Sequence, residues 1–306
     1  MRAIGGVRSV AGRTVTTATL GALVALSVGG CGLLAEKDAT TSTPDDTLAP
    51  LVATENVTVG KRQVAARCAG KTSDPSVLLV SGYDTELSQS WDEVQPAIGA
   101  FARVCAYDRL GVGHSDEAPK RQSFADMADE LDGVIDALHL KRPVVLVAHS
   151  LGGMVAATWA EAHRQDLAAL VFVDATPPSW VATALSTLPK DPEAKGGELR
   201  NGLATLLAPR ANAEHLDGRA SFDPPAVFGP VGSQPIIALT HSVSEWGDLR
   251  RRDAAELDSA WLGGQQGWAE LSSQGRVQIV DQAGHFIQND QPQALVDAVR
   301  EVLADG

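Results

Sequence analysis

The sequence predicts an α/β fold with a mostly parallel central sheet, helices on both faces and a small helical cap. Short runs rich in Val, Ile and Leu alternate with longer segments of helical pattern, which is typical of such a sheet. Most runs are continuously apolar, as expected of strands covered on both faces. A segment of about 60 residues, 175–234, contains no convincing strand, and so long an insertion predicts the cap. The six predicted strands span residues 76–81, 103–107, 143–148, 169–174, 235–240 and 276–280.

Three segments carry helical patterns. Residues 124–138 place apolar side chains at helical spacing, residues 153–163 are rich in alanine, and residues 292–303 form an amphipathic stripe. Within the predicted cap, several apolar residues suggest an apolar lining, although amphipathic cap helices need such residues in any case. These residues are Trp180, Leu185, Leu203, Leu206 and Leu207.

Composition indicates a globular protein that does not bind nucleic acid. The 306 residues are 44% hydrophobic and 21% charged, with a formal net charge of −13. Beyond residue 30 the chain carries 22 basic and 38 acidic residues, a balance that repels phosphate backbones. We expect one folded domain over residues 51–306, with the cap inserted at about 175–234.

The N-terminus has the pattern of an export signal. Arg2, Arg8 and Arg13 precede an apolar run over 15–28, which is too short to span a bilayer as a helix. Residues 28–31 read VGGC and resemble a bacterial lipobox, so we expect residues 1–30 to be a signal peptide and Cys31 to be lipidated. A plain secretion signal or an uncleaved anchor is the alternative. The segment 31–50, rich in Thr, Asp and Pro, is then a flexible tether to the extracytoplasmic face of the cell membrane.

Ser150 is the predicted nucleophile. Residues 143–153 read PVVLVAHSLGG, a buried strand that leads through a tight turn into a helix. Small residues are required two positions before and after the serine, and Ala148 and Gly152 stand there. Ala148 departs from the more usual glycine. A serine that simply caps a helix is the competing interpretation.

His285 is the predicted base, since a serine hydroxyl needs one within hydrogen-bond reach. Gly284 and His285 follow the last predicted strand, and the order of serine before histidine is that of the α/β-hydrolases. A surface-loop histidine without a role is the alternative. Residues 106–116 (AYDRLGVGHSD) add a third motif. Together these motifs resemble the α/β-hydrolase superfamily over about residues 57–303.

The resemblance implies further roles. The loop after the strand 76–81 is the family's oxyanion loop with Ser81 in place of histidine, so the donors are the backbone amides of Tyr83 and Leu151. Asp108 and Arg109 are implied to make buried, architectural polar contacts, and Trp91 to pack near the pocket. The resemblance also places the strands of Cys68 and Cys105 side by side and implies a disulfide, with two buried free thiols as the alternative.

The acid that should orient His285 is left open by the sequence. Most family members place it after the strand that precedes the histidine's strand. Here that loop offers only Glu245, Asp248 and the more distant Asp253. The other family position is the end of the strand 169–174, where Asp174 stands. We predict Asp174, with Asp248 as runner-up and a purely structural Asp174 as the alternative.

These residues predict a serine hydrolase that cleaves a carboxylic ester, thioester or lactone through an acyl-enzyme on Ser150. The substrate is expected to be a small molecule with an apolar acyl part, and no metal or cofactor is implied. Serine in place of aspartate disfavours dehalogenation, while carbon–carbon bond hydrolysis and acyl transfer to another acceptor stay open. The alternative function is a catalytically silent lipoprotein that binds an apolar ligand or a partner in the cap cleft.

Overall fold

The computed structural model describes residues 48–71, 75–208, 210, 212–243, 246 and 249–304. The predicted signal peptide, Cys31 and most of the tether lie outside the described residues. Glu245 and Asp248, the alternative acids after the seventh strand, lie outside them as well.

The described residues form a single sheet of eight strands, which are β1 (Glu55–Val59), β2 (Arg62–Ala69), β3 (Val77–Val80), β4 (Val104–Tyr107), β5 (Val144–His149), β6 (Leu167–Val173), β7 (Ile236–His241) and β8 (Gly275–Val280). In the sheet they lie in the order β1-β2-β4-β3-β5-β6-β7-β8. Strands β1 and β2 pair antiparallel, β2 pairs antiparallel with β4, and all other neighbours are parallel. The predicted fold class is therefore confirmed.

Both faces of the sheet are covered along its central strands β3, β4, β5 and β6, which explains why these strands are continuously apolar. In β3, Leu78 and Val80 pack on one side while Val77 and Leu79 pack on the other. The alternation follows from the pleat of a strand, whose successive side chains point to opposite faces. The helices are α1 (Leu87–Trp91), α2 (Gln95–Gly99), α3 (Phe124–Ala137), α4 (Gly152–Ala162), α5 (Pro178–Thr187), α6 (Gly197–Thr205), α7 (Arg219–Phe222), α8 (Arg251–Ala269), α9 (Ile287–Asp290) and α10 (Pro292–Ala304).

The three helices foreseen from the sequence form where expected. Helix α3 begins at a capping box, in which Ser123 and Asp126 each accept a hydrogen bond from the other's backbone amide. Between β6 and β7 the described residues form α5, α6 and α7 and no strand of the sheet. None of the helices within the described residues is long and apolar enough to cross a membrane.

Helix α8 was not foreseen. It buries Leu257, Trp261, Gln265 and Trp268, which follow helical spacing, but the stripe includes a glutamine and the helix contains three glycines. A buried polar residue and glycines both weaken a helical pattern in a sequence.

Cys68 and Cys105 are joined by a disulfide, as the resemblance implied. The two residues are register partners on the antiparallel strands β2 and β4. The bridge ties the antiparallel edge of the sheet to its parallel part.

Strand direction places four polar side chains together. Strands β5, β6, β7 and β8 are consecutive parallel neighbours, so their carboxyl ends lie along one edge of the sheet. Ser150 and Asp174 directly follow β5 and β6, His241 ends β7, and His285 lies in the loop after β8.

Candidate active site

Ser150 lies in a sharp turn between β5 and α4. Its φ of 50° is in the left-handed region that non-glycine residues rarely adopt, and such strain clusters at functional sites. Gly152 makes the turn possible, because a β-carbon at that position would lie 2.5 Å from the carbonyl oxygen of Ser81. Ala148 lies fully buried in β5 without disturbing the turn. The departure from glycine at 148 is therefore accommodated.

A continuous chain of hydrogen bonds joins the three predicted catalytic side chains. His285 Nε2 lies 2.9 Å from Ser150 Oγ, and His285 Nδ1 lies 2.7 Å from Asp174 Oδ2. A histidine held in this way can take the serine proton at Nε2 while its Nδ1–H donates to the carboxylate. The structure thus brings Ser150, His285 and Asp174 together. It does not describe Asp248.

Asp174 is buried and receives hydrogen bonds on both oxygens. His241 Nδ1 lies 2.8 Å from Oδ2, and Trp261 Nε1 donates to Oδ1 at 2.9 Å. The Thr240 hydroxyl and the His241 backbone amide also donate to Oδ1, each at 3.2 Å. Burial alone raises the pKa of Asp174, but hydrogen bonds from His241 and His285 outweigh it and hold that pKa far below its usual range. The carboxylate therefore stays ionised beside His285.

His149 forms a hydrogen bond with the backbone of the predicted base, His285. Its Nε2 lies 3.0 Å from the backbone carbonyl oxygen of His285. Burial, followed by repulsion from His285, lowers the pKa of His149 to about 3, so its ring is neutral and Nε2 carries the proton that it donates. His149 thus fixes the backbone of the loop that presents His285.

The predicted oxyanion donors flank the nucleophile. Neither the Tyr83 nor the Leu151 backbone amide donates a hydrogen bond to another of the described residues. Ser81, which replaces the family's histidine, accepts a hydrogen bond at 2.9 Å from the indole of Trp91, which is fully buried. Trp91 therefore packs under the oxyanion loop, in agreement with the role implied for it.

A cavity of about 390 Å³ opens at Ser150. Trp180, Leu203 and Leu206 of the predicted cap line it, whereas Leu185 and Leu207 pack against the core. Among the described residues no lysine or arginine lines the cavity. Its lining consists of Tyr83, Ser150, Leu151, Thr176, Trp180, Leu199, Leu203, Leu206, His241, Trp246, Trp261, His285, Phe286 and Asp290.

Three site residues were missed by the sequence reasoning. Thr176 Oγ1 lies 3.2 Å from Ser150 Oγ, and Trp261 reaches Asp174 from the unforeseen helix α8. His241 could have been found, because it ends the strand after which most family members place their acid. In this chain a histidine stands there and binds the acid supplied by β6.

The comparisons with known proteins agree with the observed fold. A family model described as the α/β hydrolase fold matches residues 75–226. The thermophilic esterase from Thermogutta terrifontis superposes with a TM-score of 0.58 at 21% identity, covering 83% of this chain and 99% of the esterase. The 2-hydroxy-6-oxo-6-phenylhexa-2,4-dienoate hydrolase from Rhodococcus sp. strain RHA1 superposes with a TM-score of 0.61 at 13% identity, covering 84% and 99%. The chain belongs to the α/β-hydrolase superfamily.

Three of the sequence relatives match over shorter stretches. A haloalkane dehalogenase of Sphingobium indicum is 33% identical over 115 residues, which are 36% of this chain and 38% of the dehalogenase. The chain matches between 18% and 38% of the length of three curated relatives, this dehalogenase among them. These relatives therefore support the family and leave the activity to be argued from the site.

The shared carboxylate predicts an effect of His241 on stability. In His241→Leu, Asp174 loses a donor and remains ionised at pH 7 with fewer hydrogen bonds, so the free energy of unfolding at that pH should fall by about 1–3 kcal/mol. Asparagine can keep a donor at the position of Nδ1, so His241→Asn should retain most of the wild-type stability. Urea unfolding of the three proteins at pH 7 tests this.

The pH dependence of this contribution follows from the same pKa. Because the folded-state pKa of Asp174 lies below its usual value of 3.8, the ionised carboxylate stabilises the fold above that pH, and this contribution is lost as the pH falls. An unchanged free energy of unfolding in His241→Leu at pH 7 would contradict a role of His241 in holding Asp174 ionised.

Proposed function

We propose that this protein is a serine hydrolase that cleaves a carboxylic ester, thioester or lactone through an acyl-enzyme on Ser150. The observation that carries the proposal is the unbroken hydrogen-bonded chain from Ser150 Oγ through His285 to Asp174. The open cavity at Ser150 supports it, because a substrate carbonyl can reach the hydroxyl from there.

The reaction follows from the positions of these groups. Ser150 Oγ attacks the carbonyl carbon as His285 Nε2 takes the hydroxyl proton, and the carbonyl oxygen becomes an oxyanion facing the amides of Tyr83 and Leu151. Collapse of this intermediate breaks the bond to the leaving group, which takes the proton from His285. Water then attacks the acyl-enzyme with His285 as base, and the free acid leaves. Ionised Asp174 stabilises the imidazolium in both halves.

The nucleophile favours acyl transfer over the chemistry named for some relatives. Serine at position 150 forms an acyl ester that water can hydrolyse, whereas dehalogenation in this fold uses an aspartate, as noted above. The esterase among the structural neighbours has the proposed type of activity, although at 21% identity it supports only the fold.

The lining of the cavity supports an apolar, uncharged acyl group. Trp180 stacks on Trp246 at 5.2 Å and meets Trp261 edge-on at 4.9 Å, which gives one wall an aromatic surface. Asp290 is the one carboxylate among the described residues that line the cavity, and no described lysine or arginine lines it. A carboxylate on the acyl part would therefore find no partner there, and burying an unpaired charge is costly.

Export and anchoring are part of the proposal and rest chiefly on the sequence. The arginines before the apolar run and the VGGC pattern ending at Cys31 support a lipoprotein at the extracytoplasmic face of the cell membrane. The disulfide between Cys68 and Cys105 is in keeping with an oxidising compartment.

A fluorophosphonate probe tests the nucleophile. The wild-type protein should be labelled at Ser150, because His285 activates its hydroxyl, and Ser150→Ala should lose the label. Thr176→Val, which removes the neighbouring hydroxyl, serves as the matched control and should keep it. Absence of labelling in the wild type, together with inactivity across a p-nitrophenyl ester chain-length series, would support the silent binding protein instead.

The acid is tested with two asparagine variants. Asp174→Asn should lower kcat for a p-nitrophenyl ester by roughly 10²–10⁴-fold, since His285 loses its carboxylate partner. Asp248→Asn should remain within about twofold of the wild type, the small change usual for a substitution away from the reacting groups. The opposite pattern would assign the acid to Asp248. Circular dichroism and the melting temperature of both variants show whether the fold is retained.

A further inference from the structure

A buried ion pair lies directly behind the oxyanion loop. The guanidinium of Arg109, from the turn after β4, forms a double hydrogen bond with the carboxylate of Glu214, at 2.8 Å from Nε to Oε2 and 3.0 Å from Nη2 to Oε1. Both side chains are buried, with 2% and 0% of their surface exposed. Glu214 belongs to the segment between α6 and α7, which is part of the predicted cap. The pair therefore joins the cap insertion to the core.

The same two side chains hold three consecutive peptide units of the oxyanion loop. Arg109 donates to the carbonyl oxygen of Ser81 at 2.5 Å from Nη1 and to that of Gly82 at 2.7 Å from Nη2. Glu214 Oε1 accepts the amide of Asp84 at 2.8 Å. The carbonyls of Ser81 and Gly82 and the amide of Asp84 are thus bound to the ion pair.

Because the peptide group is planar, these contacts also set the orientation of the Tyr83 amide. The bond between Gly82 and Tyr83 is trans, so the Gly82 carbonyl and the Tyr83 N–H point in opposite directions. Arg109 binds the carbonyl and thereby turns the N–H to the other side of the loop. No described group accepts a hydrogen bond from that N–H.

The charge of Arg109 also strengthens the donor. A cation at the carbonyl oxygen polarises the peptide group and makes its N–H more positive, an effect that is larger in a buried environment. Glu214 compensates the buried charge of Arg109 and fixes its orientation. Without Glu214, the guanidinium would lack its charged partner and the Asp84 amide its acceptor.

We propose that Arg109 and Glu214 are positioning residues that aim the Tyr83 amide at the oxyanion, and that the cap segment thereby helps to hold the oxyanion hole in shape. This inference rests on the proposed function and adds a role for two residues that do not touch the substrate. The simpler alternative is an ion pair that only stabilises the fold. The two roles predict different effects of removing the pair. If the pair positions the amide, its removal weakens stabilisation of the tetrahedral intermediate even in correctly folded molecules. If the pair only stabilises the fold, correctly folded molecules keep that stabilisation.

The experiment compares turnover with binding of an alkyl trifluoromethyl ketone. The hydroxyl of Ser150 adds to the ketone carbon, His285 takes the proton, and the ketone oxygen becomes an oxyanion that needs the hole. For Arg109→Met and Glu214→Gln, kcat per active site should fall by about 10–100-fold, which is less than the loss of a whole oxyanion donor, with KM within about twofold. The Ki of the ketone should rise by the same factor. Titration with a fluorophosphonate counts the active sites.

Two further variants separate positioning from stability. Arg67→Met removes another buried arginine, which binds Asp92 and Gln95 and makes no hydrogen bond to a described residue of the oxyanion loop, and should lower the melting temperature without changing Ki. The double variant Arg109→Met with Glu214→Met removes both charges at once, a replacement that is often tolerated by folded proteins. It should fold and still show the loss in kcat and the rise in Ki.

Each outcome decides between the two roles. Wild-type values of kcat per site and Ki in the folded single or double variants would overturn the positioning role while leaving the proposed hydrolase intact. Failure of all three variants to fold would make the pair a folding element and would also contradict the proposal. A wild-type protein that neither turns over esters nor binds the ketone would refute the proposed function and this inference with it.

Discussion

The site depends on one buried negative charge, the carboxylate of Asp174. A fully buried carboxylate is unfavourable unless it is hydrogen-bonded, and here donors from β7, α8 and the loop after β8 converge on its two oxygens. This requirement fixes the other parts of the site. His285 and His241 must point their Nδ1 atoms inward, and α8 must bring Trp261 to the sheet edge. The orientation that lets His285 Nε2 reach Ser150 follows from these constraints.

The sheet sets where the catalytic residues lie, and the turns that follow its strands set how their side chains are directed. Parallel neighbours β5 to β8 end at one edge, so side chains as far apart in the chain as Ser150 and His285 come within hydrogen-bond distance. Ser150 and Asp174 both have positive φ angles, 50° and 45°. Such backbone conformations persist where the surroundings hold them, and they cluster at functional sites. Here they directly follow neighbouring strands that are buried on both faces.

Much of the fold was predictable because the strands are buried on both faces and the elbow has a strict pattern of small residues. Ser150 and His285 follow from local motifs. The identity of the acid does not follow from a local motif, because Asp174 and Asp248 each occupy a position where the family places its acid. Only the three-dimensional contact between Asp174 and His285 favours Asp174. Glu214 and Trp261 were missed for a similar reason. They act through contacts across about 90 to 105 positions, which leave no local pattern in a single sequence.

The central claim is that Ser150 carries the acyl group during turnover, and rapid quenching followed by mass spectrometry tests it directly. Protein mixed with saturating p-nitrophenyl butyrate, quenched in acid and digested, should yield a peptide containing Ser150 whose mass is increased by one butyryl group, and the adduct should disappear once substrate is exhausted. Release of p-nitrophenol with no adduct at Ser150, or with the adduct on another side chain, would contradict the account.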